Sequence, residues 1–547
     1  MAIFDSIRLG ASGVSTGYEI ERSVRISRDR NTYFSISNGG NTRTFTFSIW
    51  LKLGKNYNNF MGIYSQYLYG SNRCGIVHTG TTANSAGIQY QNRQSNSHKA
   101  LVYTVEKLRD PASWQHLVIV MDTPNNTRTD RFIVYKNGIR MNFDYYSGPV
   151  QNSTSNLNSS TTHYIGRDGY YGTGDFLIAE VNLIDGQAYD ASYFGETDAR
   201  TGQWIPKKYE GSYTGSSYYL KFDDNSSASA LGTDSSGLGN NVTANNFSVG
   251  SDANNDSFTD TPTNNFCTFN PLDNHSNISL SRGNLVASIS SGFKLQRSTF
   301  FLSSGKWYWE IKCDDVFPAG FLGITDSTDS VNSQGGASSS SCMIRTTNGD
   351  KRIGGSETSY GSGISDGDVM IFALDMDNGK FWAGKNGTFF NSGNPATGSN
   401  PATSAVTNPV TPTLGMYDYE DYTGNFGQRK IDSTSYADAN GHGAFKYSVP
   451  SGYLALCSAN LPDPTILLPN KHFNTLLYTG TGSSNSVTGL DFAPDWVWVK
   501  GRNTNGYEHL LVDVIRGGNA SLSSNNTDVE STHGGRSMTF LSNGVRW

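Results

Sequence analysis

Carboxylates are the side chains most able to give a strand-rich chain hydrolytic chemistry. A retaining glycosidase needs two carboxyl groups about 5 to 5.5 Å apart, which on one strand face means an acidic residue at every second position. The 547-residue sequence contains no Glu-x-Asp-x-Glu run. Glu310 and Asp314 can share a face if their strand stays regular, while Asp175, Glu180 and Asp185 have odd spacings, so these read as solvated or turn-capping carboxylates. Asp375-Met376-Asp377-Asn378-Gly379 looks superficially like a calcium loop but lacks the remaining ligands and the closing Glu of the twelve-residue pattern. It reads as a β-turn. The nine histidines form no H-E-x-x-H motif, and Cys74 with His78 reads as a core thiol near a surface imidazole. The glycine-rich stretch 163–175 has no following helix whose N-terminus would hold phosphate. No catalytic residue, no metal and no cofactor are expected, and the chain is read as a non-enzyme.

Tyrosine carries the positive signal. Tyr170 and Tyr171 stand between glycines beside Arg167, Asp168 and Asp175, and Tyr417, Tyr419 and Tyr422 alternate with Glu420 and Asp421. A tyrosine offers a flat apolar face and a polar tip, which suits stacking on a sugar or anchoring a protein interface at low entropic cost. Arg167, Asp168, Tyr170, Tyr171, Tyr417, Tyr419 and Tyr422 are therefore the candidate ligand-binding residues. A second candidate region is the leader, residues 1–20, too short and glycine-rich to fold alone yet carrying Ile3, Phe4, Ile7 and Leu9. Such a segment gains order by burying those side chains on a partner, which makes it the expected particle-attachment segment.

The elements that must position these residues read as strands. In TFTFSIWLKL (44–53) Phe45, Phe47, Ile49 and Leu51 share one face, and Thr46, Ser48, Trp50 and Lys52 take the other. Period-two runs recur at 23–27, 114–122, 131–141, 305–313, 321–325 and 493–500, where Trp496 and Trp498 alternate against Val497 and Val499. Asn137-Gly138, Asp377-Asn378-Gly379 and Lys385-Asn386-Gly387 mark hairpins, because these residue types tolerate positive φ. A short helix is possible at 191–196. With 60 glycines, 12% aromatics and no long stretch of helical apolar spacing, the fold class is all-β: consecutive antiparallel β-sandwiches.

Charge and cysteine usage narrow the partners. A formal net charge of −6 and scattered Lys and Arg residues argue against nucleic acid. No run of about 18 apolar residues exists, so no membrane insertion is expected, and Asp5 and Arg8 interrupt the place where a signal peptide needs an apolar core. Five widely spaced cysteines without a C-x-x-C pair read as buried, reduced thiols made in a cytoplasm.

The chain divides into a leader (1–20), a first module (21–210), a polar Asn/Ser/Asp/Gly connector (211–275) ordered, if at all, by packing on its neighbours, a second module (276–460) and a small C-terminal β module (461–547). The ordered set of FTFSIWLKL, Trp114-Gln115-His116, Tyr135-Lys136-Asn137-Gly138, Ile165-Gly166 and Ala179-Glu180-Val181 resembles the laminin-G form of the concanavalin A-like lectin/glucanase sandwich. The second module, with WYWE (307–310), the Gly323-Ile324 strand, Gly367-Asp368, Asp375-Met376-Asp377-Asn378-Gly379 and a final Asn386-Gly387 hairpin, resembles a SPRY sandwich. SPRY domains bind proteins or peptides through loops, so that likeness implies interaction. Lectin-like modules on polar connectors are similar to structural proteins of marine tailed phages. The resemblance implies a virion protein, a tail fibre or host-recognition adhesin binding a surface glycan or protein. Such a protein would be assembled in the bacterial cytoplasm, joined to other virion proteins through its N-terminus and homotrimeric like phage fibres. Alternatives are a head-associated decoration or fibre protein and a polysaccharide-degrading appendage enzyme.

Overall fold

Strands make up 40% of the chain and helix 4% in the computed structural model. It describes residues 17–54, 60–68, 72–79, 87–250, 254–317, 319–503, 506–532 and 537–547. The attachment candidates Ile3, Phe4, Ile7 and Leu9 lie outside the described residues. Two compact units are formed, one by residues up to 198 with 203–462 and the other by 199–202 with 463–547.

The larger unit contains two sandwiches. In the first, one sheet runs in the order Ile139–Arg140, Phe132–Lys136, Trp114–Asp122, Thr44–Leu53, Phe176–Asp185, Ser23–Ile26 and Ser257–Phe258, with Tyr218–Leu220 also paired to Phe176–Asp185. We call this the back sheet. The front sheet runs Phe143–Ser147, Ser97–Thr104, Ile88–Gln94, Asn72–His78, Met61–Leu68, His163–Ile165, Tyr33–Ile36 and Thr243–Asn245. Phe45, Phe47, Ile49 and Leu51 enter the core between the sheets, as their shared parity requires. The hairpin at Asn137 (φ 47°) and Gly138 (φ 79°) has the positive angles that the Asn-Gly pair favours.

Both faces of the back sheet are buried. Trp50, Trp114, Leu177 and Ala179 point away from the first core and join Phe258, Phe269, Ile278 and Leu280 in the core of the second sandwich. Lys52, on the same parity as Trp50, is buried because Asp260 Oδ2, Asn265 Oδ1 and the Phe266 carbonyl accept its three protons at 2.7, 2.7 and 2.8 Å. Asp260 also accepts the Trp114 indole N–H at 2.8 Å, and Arg25 pairs with Asp256 at 2.7 Å. His116 stacks on Trp50, accepts the Trp204 Nε1–H on Nδ1 (3.0 Å) and so presents Nε2–H to Ser48 Oγ (2.8 Å). Burial pushes that imidazole down to about 3, which keeps it neutral.

Residues 211–275, expected as a polar connector, are woven into both sandwiches. They supply Tyr218–Leu220 and Ser257–Phe258 to the back sheet, Thr243–Asn245 to the front sheet and Phe269–Asn274 to the second sandwich. Their few apolar side chains are spent where they count: Leu231, Val242 and Phe247 are buried in the first core.

In the second sandwich one sheet contains Phe269–Asn274, Lys294–Ser298, Val410–Met416, Phe321–Asp326, Cys342–Arg345, Lys351–Ile353 and Ser356–Thr358. Ile278–Ser281, Val286–Ile289, Asp421–Asn425, Lys306–Asp315, Val369–Asp375, Lys380–Lys385 and Thr388–Phe389 form its partner. Trp307, Trp309 and Phe372 fill the space between them. The expected short helix appears as one 3-10 turn, Ala191–Tyr193, capped by Asp190. All five cysteines are free and buried.

Among its described residues the smaller unit has three small sheets, with a core of Val512, Met538 and Val545. Its Trp496–Val499 strand packs Val497 and Val499 against that core and leaves Trp496 and Trp498 exposed, with Trp498 Nε1 donating to His509 Nδ1 at 2.9 Å.

Candidate ligand-binding site

The front sheet presents one polar, aromatic face to the outside. Its parity is set by Cys74, Ile76, Ile88, Tyr90, Ala100 and Val102, which face the core, so Arg73, Gly75, Gln89, Gln91, Arg93 and Tyr103 take the opposite face, Gln89 and Gln91 buried there and Arg73, Arg93 and Tyr103 half-buried. Strand register turns these into rows: Arg73 lies opposite Arg93, and Arg93 opposite His98; Gly75 lies opposite Gln91, and Gln91 opposite Leu101.

A two-strand hairpin, Arg167–Asp168 with Gly172–Thr173, lies flat on this face. It can do so because two positions beneath it lack side chains. A Cβ on Gly62 would stand 2.1 Å from the Asp168 nitrogen, and one on Gly75 would stand 3.1 Å from Asp168 Oδ2. Ser65 Oγ donates to the Arg167 carbonyl at 2.7 Å and completes the seat. Asp168 is buried and accepts the backbone N–H groups of Tyr170 (2.8 Å) and Tyr171 (2.9 Å) on Oδ1, an Asx turn that sets the two tyrosines at the tip. Burial raises its carboxyl above the usual range, and the two N–H groups together with the fields of Arg73 and Arg167 pull the other way.

Arginines and aromatic rings alternate around this hairpin. The Arg73 guanidinium lies 4.1 Å from the Tyr170 ring centroid and 5.1 Å from that of Tyr171; Arg167 lies 4.6 Å from Tyr33 and 5.7 Å from Tyr164. Phe60 stacks on Tyr171 at 4.2 Å, and Tyr170 meets Tyr171 edge-on at 4.9 Å. Tyr170 is 63% exposed. The result is a surface of flat rings held by cation–π contacts, with a cationic group behind each pair of rings. Of the sequence candidates, Arg167, Asp168, Tyr170 and Tyr171 come together here. Arg73, Arg93, Tyr33, Tyr164 and Phe60 join them without having been singled out. The alternation of Ile88-Gln89-Tyr90-Gln91 was the available signal.

The second tyrosine group does not form one surface. Tyr419 is exposed in a left-handed turn (φ 60°), and Tyr417 packs on Phe293 (4.3 Å) and Phe317 (5.6 Å). Tyr422 is a correction: it belongs to the Asp421–Asn425 strand, points into the core of the second sandwich and offers nothing to a ligand. Glu420 turns inward with it. Its carboxylate accepts the Tyr417 N–H at 2.6 Å in a space that Gly320 leaves open, and burial pushes it up to about 8.

The carboxylates weighed for catalysis are separately employed. Glu310 accepts from the Lys446 and Tyr447 nitrogens (both 2.9 Å), Tyr308 and Asn425 (both 3.1 Å). Asp314 pairs with Lys312 and accepts from Thr423, both at 2.5 Å. Asp185 accepts from the Asn41 nitrogen (2.6 Å) and Asn158 Nδ2 (2.7 Å). Glu180 sits at a bulge with φ 50°, its Oε1 accepting the hydroxyls of Tyr18 and Tyr219 at 2.7 Å each. Asp375 caps its turn through Asn378 and pairs with Lys306. Among the described residues no three His, Cys, Asp or Glu side chains converge as metal ligands would.

Residues 468–547 match the model of a domain of unknown function, DUF7483. No curated protein matches the chain. Among solved structures the chain is similar to the SPRY domain of human HERC1, with 18% identity over 28% of this chain and 96% of that one at a TM-score of 0.25. It is similar to the TRIM65 PSpry domain at 17% identity over 29% of this chain and 91% of that one, TM-score 0.25. Stonustoxin is a further similar structure, at 17% identity over 29% of this chain and 27% of that one, TM-score 0.24.

Proposed function

We propose that this chain is a non-enzymatic host-recognition adhesin of a tailed-phage particle, a tail fibre or equivalent appendage, whose first sandwich acts as a lectin. The observation that carries the reading is the front-face hairpin, where Tyr170 and Tyr171 are held on Arg73 above a sheet that has glycines at the two positions needed to seat them. Exposed flat rings over a rigid sheet match what saccharide stacking needs. A protein interface uses the same anchors, and a surface glycan is favoured because the exposed Tyr170 ring stands beside a guanidinium on a polar sheet face. In this proposal residues 1–20 join other virion proteins, and three copies act together, so that a weak single-site affinity is multiplied by effective concentration.

Adsorption to isolated host envelopes tests the reading. The purified chain is expected to bind and to block particle adsorption, and Tyr170→Ala is expected to lose both while keeping its circular dichroism spectrum. Binding that survives Tyr170→Ala overturns the assignment of this face. Release of sugar that disappears with Glu310→Gln or Glu180→Gln would replace the adhesin by an enzyme.

A further inference from the structure

We infer that the front face takes an acidic saccharide, its carboxylate or sulfate seated on Arg73 and Arg93 while a sugar ring lies against Tyr170. The inference rests on the adhesin reading and adds the ligand class.

Arg73 and Arg93 are register partners on adjacent antiparallel strands, which puts their Cβ atoms about 4.5 to 5.5 Å apart. Like charges directly opposite one another destabilise a sheet. Folded chains normally compensate with a carboxylate, yet among the described residues no acidic side chain forms an ion pair with Arg73, Arg93 or Arg167. Asp168 lies within the field of Arg73 and Arg167 but forms no ion pair with either, its Oδ1 accepting the Tyr170 and Tyr171 nitrogens. The positive field is felt by a neighbour: His98, opposite Arg93, is held below its usual range by burial and then by Arg93 and Arg73.

A second observation is independent of charge. Gln91, in the next row of the same face, is 1% exposed, and neither its amide oxygen nor its amide nitrogen has a partner. The Nε–H groups of Arg73 and Arg93 are buried and unpaired as well, and Arg93 makes one long bond, from Nη2 to the Asn96 carbonyl at 3.4 Å. Leaving such groups unsatisfied is costly, and a site that presents several together is built for a polar occupant. A planar or tetrahedral oxyanion suits guanidinium donors, and a hydroxyl beside it suits an amide that can both donate and accept. The whole chain carries a net charge of −6, so a polyanion gains nothing from overall attraction and must be held locally.

The test measures binding of the full chain to four probes: dextran sulfate, dextran, alginate and carboxyl-reduced alginate. Binding to dextran sulfate and alginate is expected, weakening as salt rises, with little binding to the two neutral polymers. Arg73→Gln and Arg93→Gln should each weaken it by at least roughly tenfold, the loss of one charge-assisted bond, with melting temperatures not lowered, since each removes one of two facing like charges. Equal binding of dextran and dextran sulfate, abolished by Tyr170→Ala, would overturn the acidic ligand and leave the adhesin reading standing. Unchanged binding of dextran sulfate by both arginine variants would also overturn it, since the anion would then sit elsewhere. If none of the four polymers and no host envelope preparation is bound, the adhesin reading falls and the ligand class with it.

Discussion

Lys52→Met should destabilise the larger unit by about 3 to 5 kcal/mol. The ammonium is 2% exposed and its partner carboxylate, Asp260, 1%. Methionine fills the stem volume but removes three bonds at once, to Asp260 Oδ2, Asn265 Oδ1 and the Phe266 carbonyl. Asp260 keeps the Trp114 indole at 2.8 Å and the Phe266 nitrogen at 3.3 Å but loses its one cationic partner, so its negative charge stays buried with two of its three partners. The two orphaned carbonyl-type oxygens each cost about 1 to 3 kcal/mol before relaxation. Against a stability of about 5 to 15 kcal/mol for a domain, the loss is large enough to read directly. Urea unfolding followed by tryptophan fluorescence measures it, because Trp50 and Trp114 flank the pair in the shared core. The two sandwiches should also unfold in one transition, since the back sheet is common to both cores. A loss below about 1 kcal/mol, or separate transitions with Lys52→Met acting on one alone, would refute the fused-core reasoning.

Glu180 sets a pH dependence. Burial raises its carboxyl from 4.5 to about 7, so the folded state binds the proton more tightly, and the associated stability is full below about pH 4.5 and lost as pH rises through about 7. Glu180→Gln keeps an acceptor for Tyr18 and Tyr219 and cannot ionise, so its stability relative to the natural chain should improve by roughly 3 kcal/mol between pH 4 and pH 8; a flat difference in urea titrations would contradict this. Gly62→Ala should shift the 167–173 hairpin, whose Asp168 nitrogen lies 2.1 Å from the new Cβ, costing about 1 to 3 kcal/mol in stability and lowering envelope binding. Unaltered binding would show that the seat does not matter. Thiol labelling should find no reactive cysteine in the native chain and five after unfolding without reductant, and any other final number contradicts the free thiols.

Strong apolar alternation was legible: the runs at 44–53 and 114–122 coincide with the strands Thr44–Leu53 and Trp114–Asp122. Three of the hairpin signals fall between paired strands. Weakly apolar strands were not legible. Asn72–His78, Ile88–Gln94 and Ser97–Thr104 put only two large or medium apolar residues each on the inward face (Cys74 and Ile76, Ile88 and Tyr90, Ala100 and Val102), so their alternation is short and pairing with neighbours carries much of the strand. The parity of Trp50 and Lys52 was plain, but that their face is covered by a second sandwich is a tertiary fact with no local signature. Arg167, Asp168, Tyr170 and Tyr171 were found by residue type and glycine context. Arg73 and Arg93 were missed because only strand register brings them under the hairpin. Tyr422 was placed wrongly because Tyr417-Asp418-Tyr419-Glu420 is a turn whose strand starts one residue before Tyr422.

Amide hydrogen exchange on the full chain, with and without soluble host-envelope polysaccharide, tests the binding face most directly. Protection is predicted at the Tyr170 to Thr173 amides and in the neighbouring Asn72–His78 and Ile88–Gln94 strands. Protection confined to the 417–420 turn or to residues 463–547, with the front-sheet hairpin unchanged, would contradict the account.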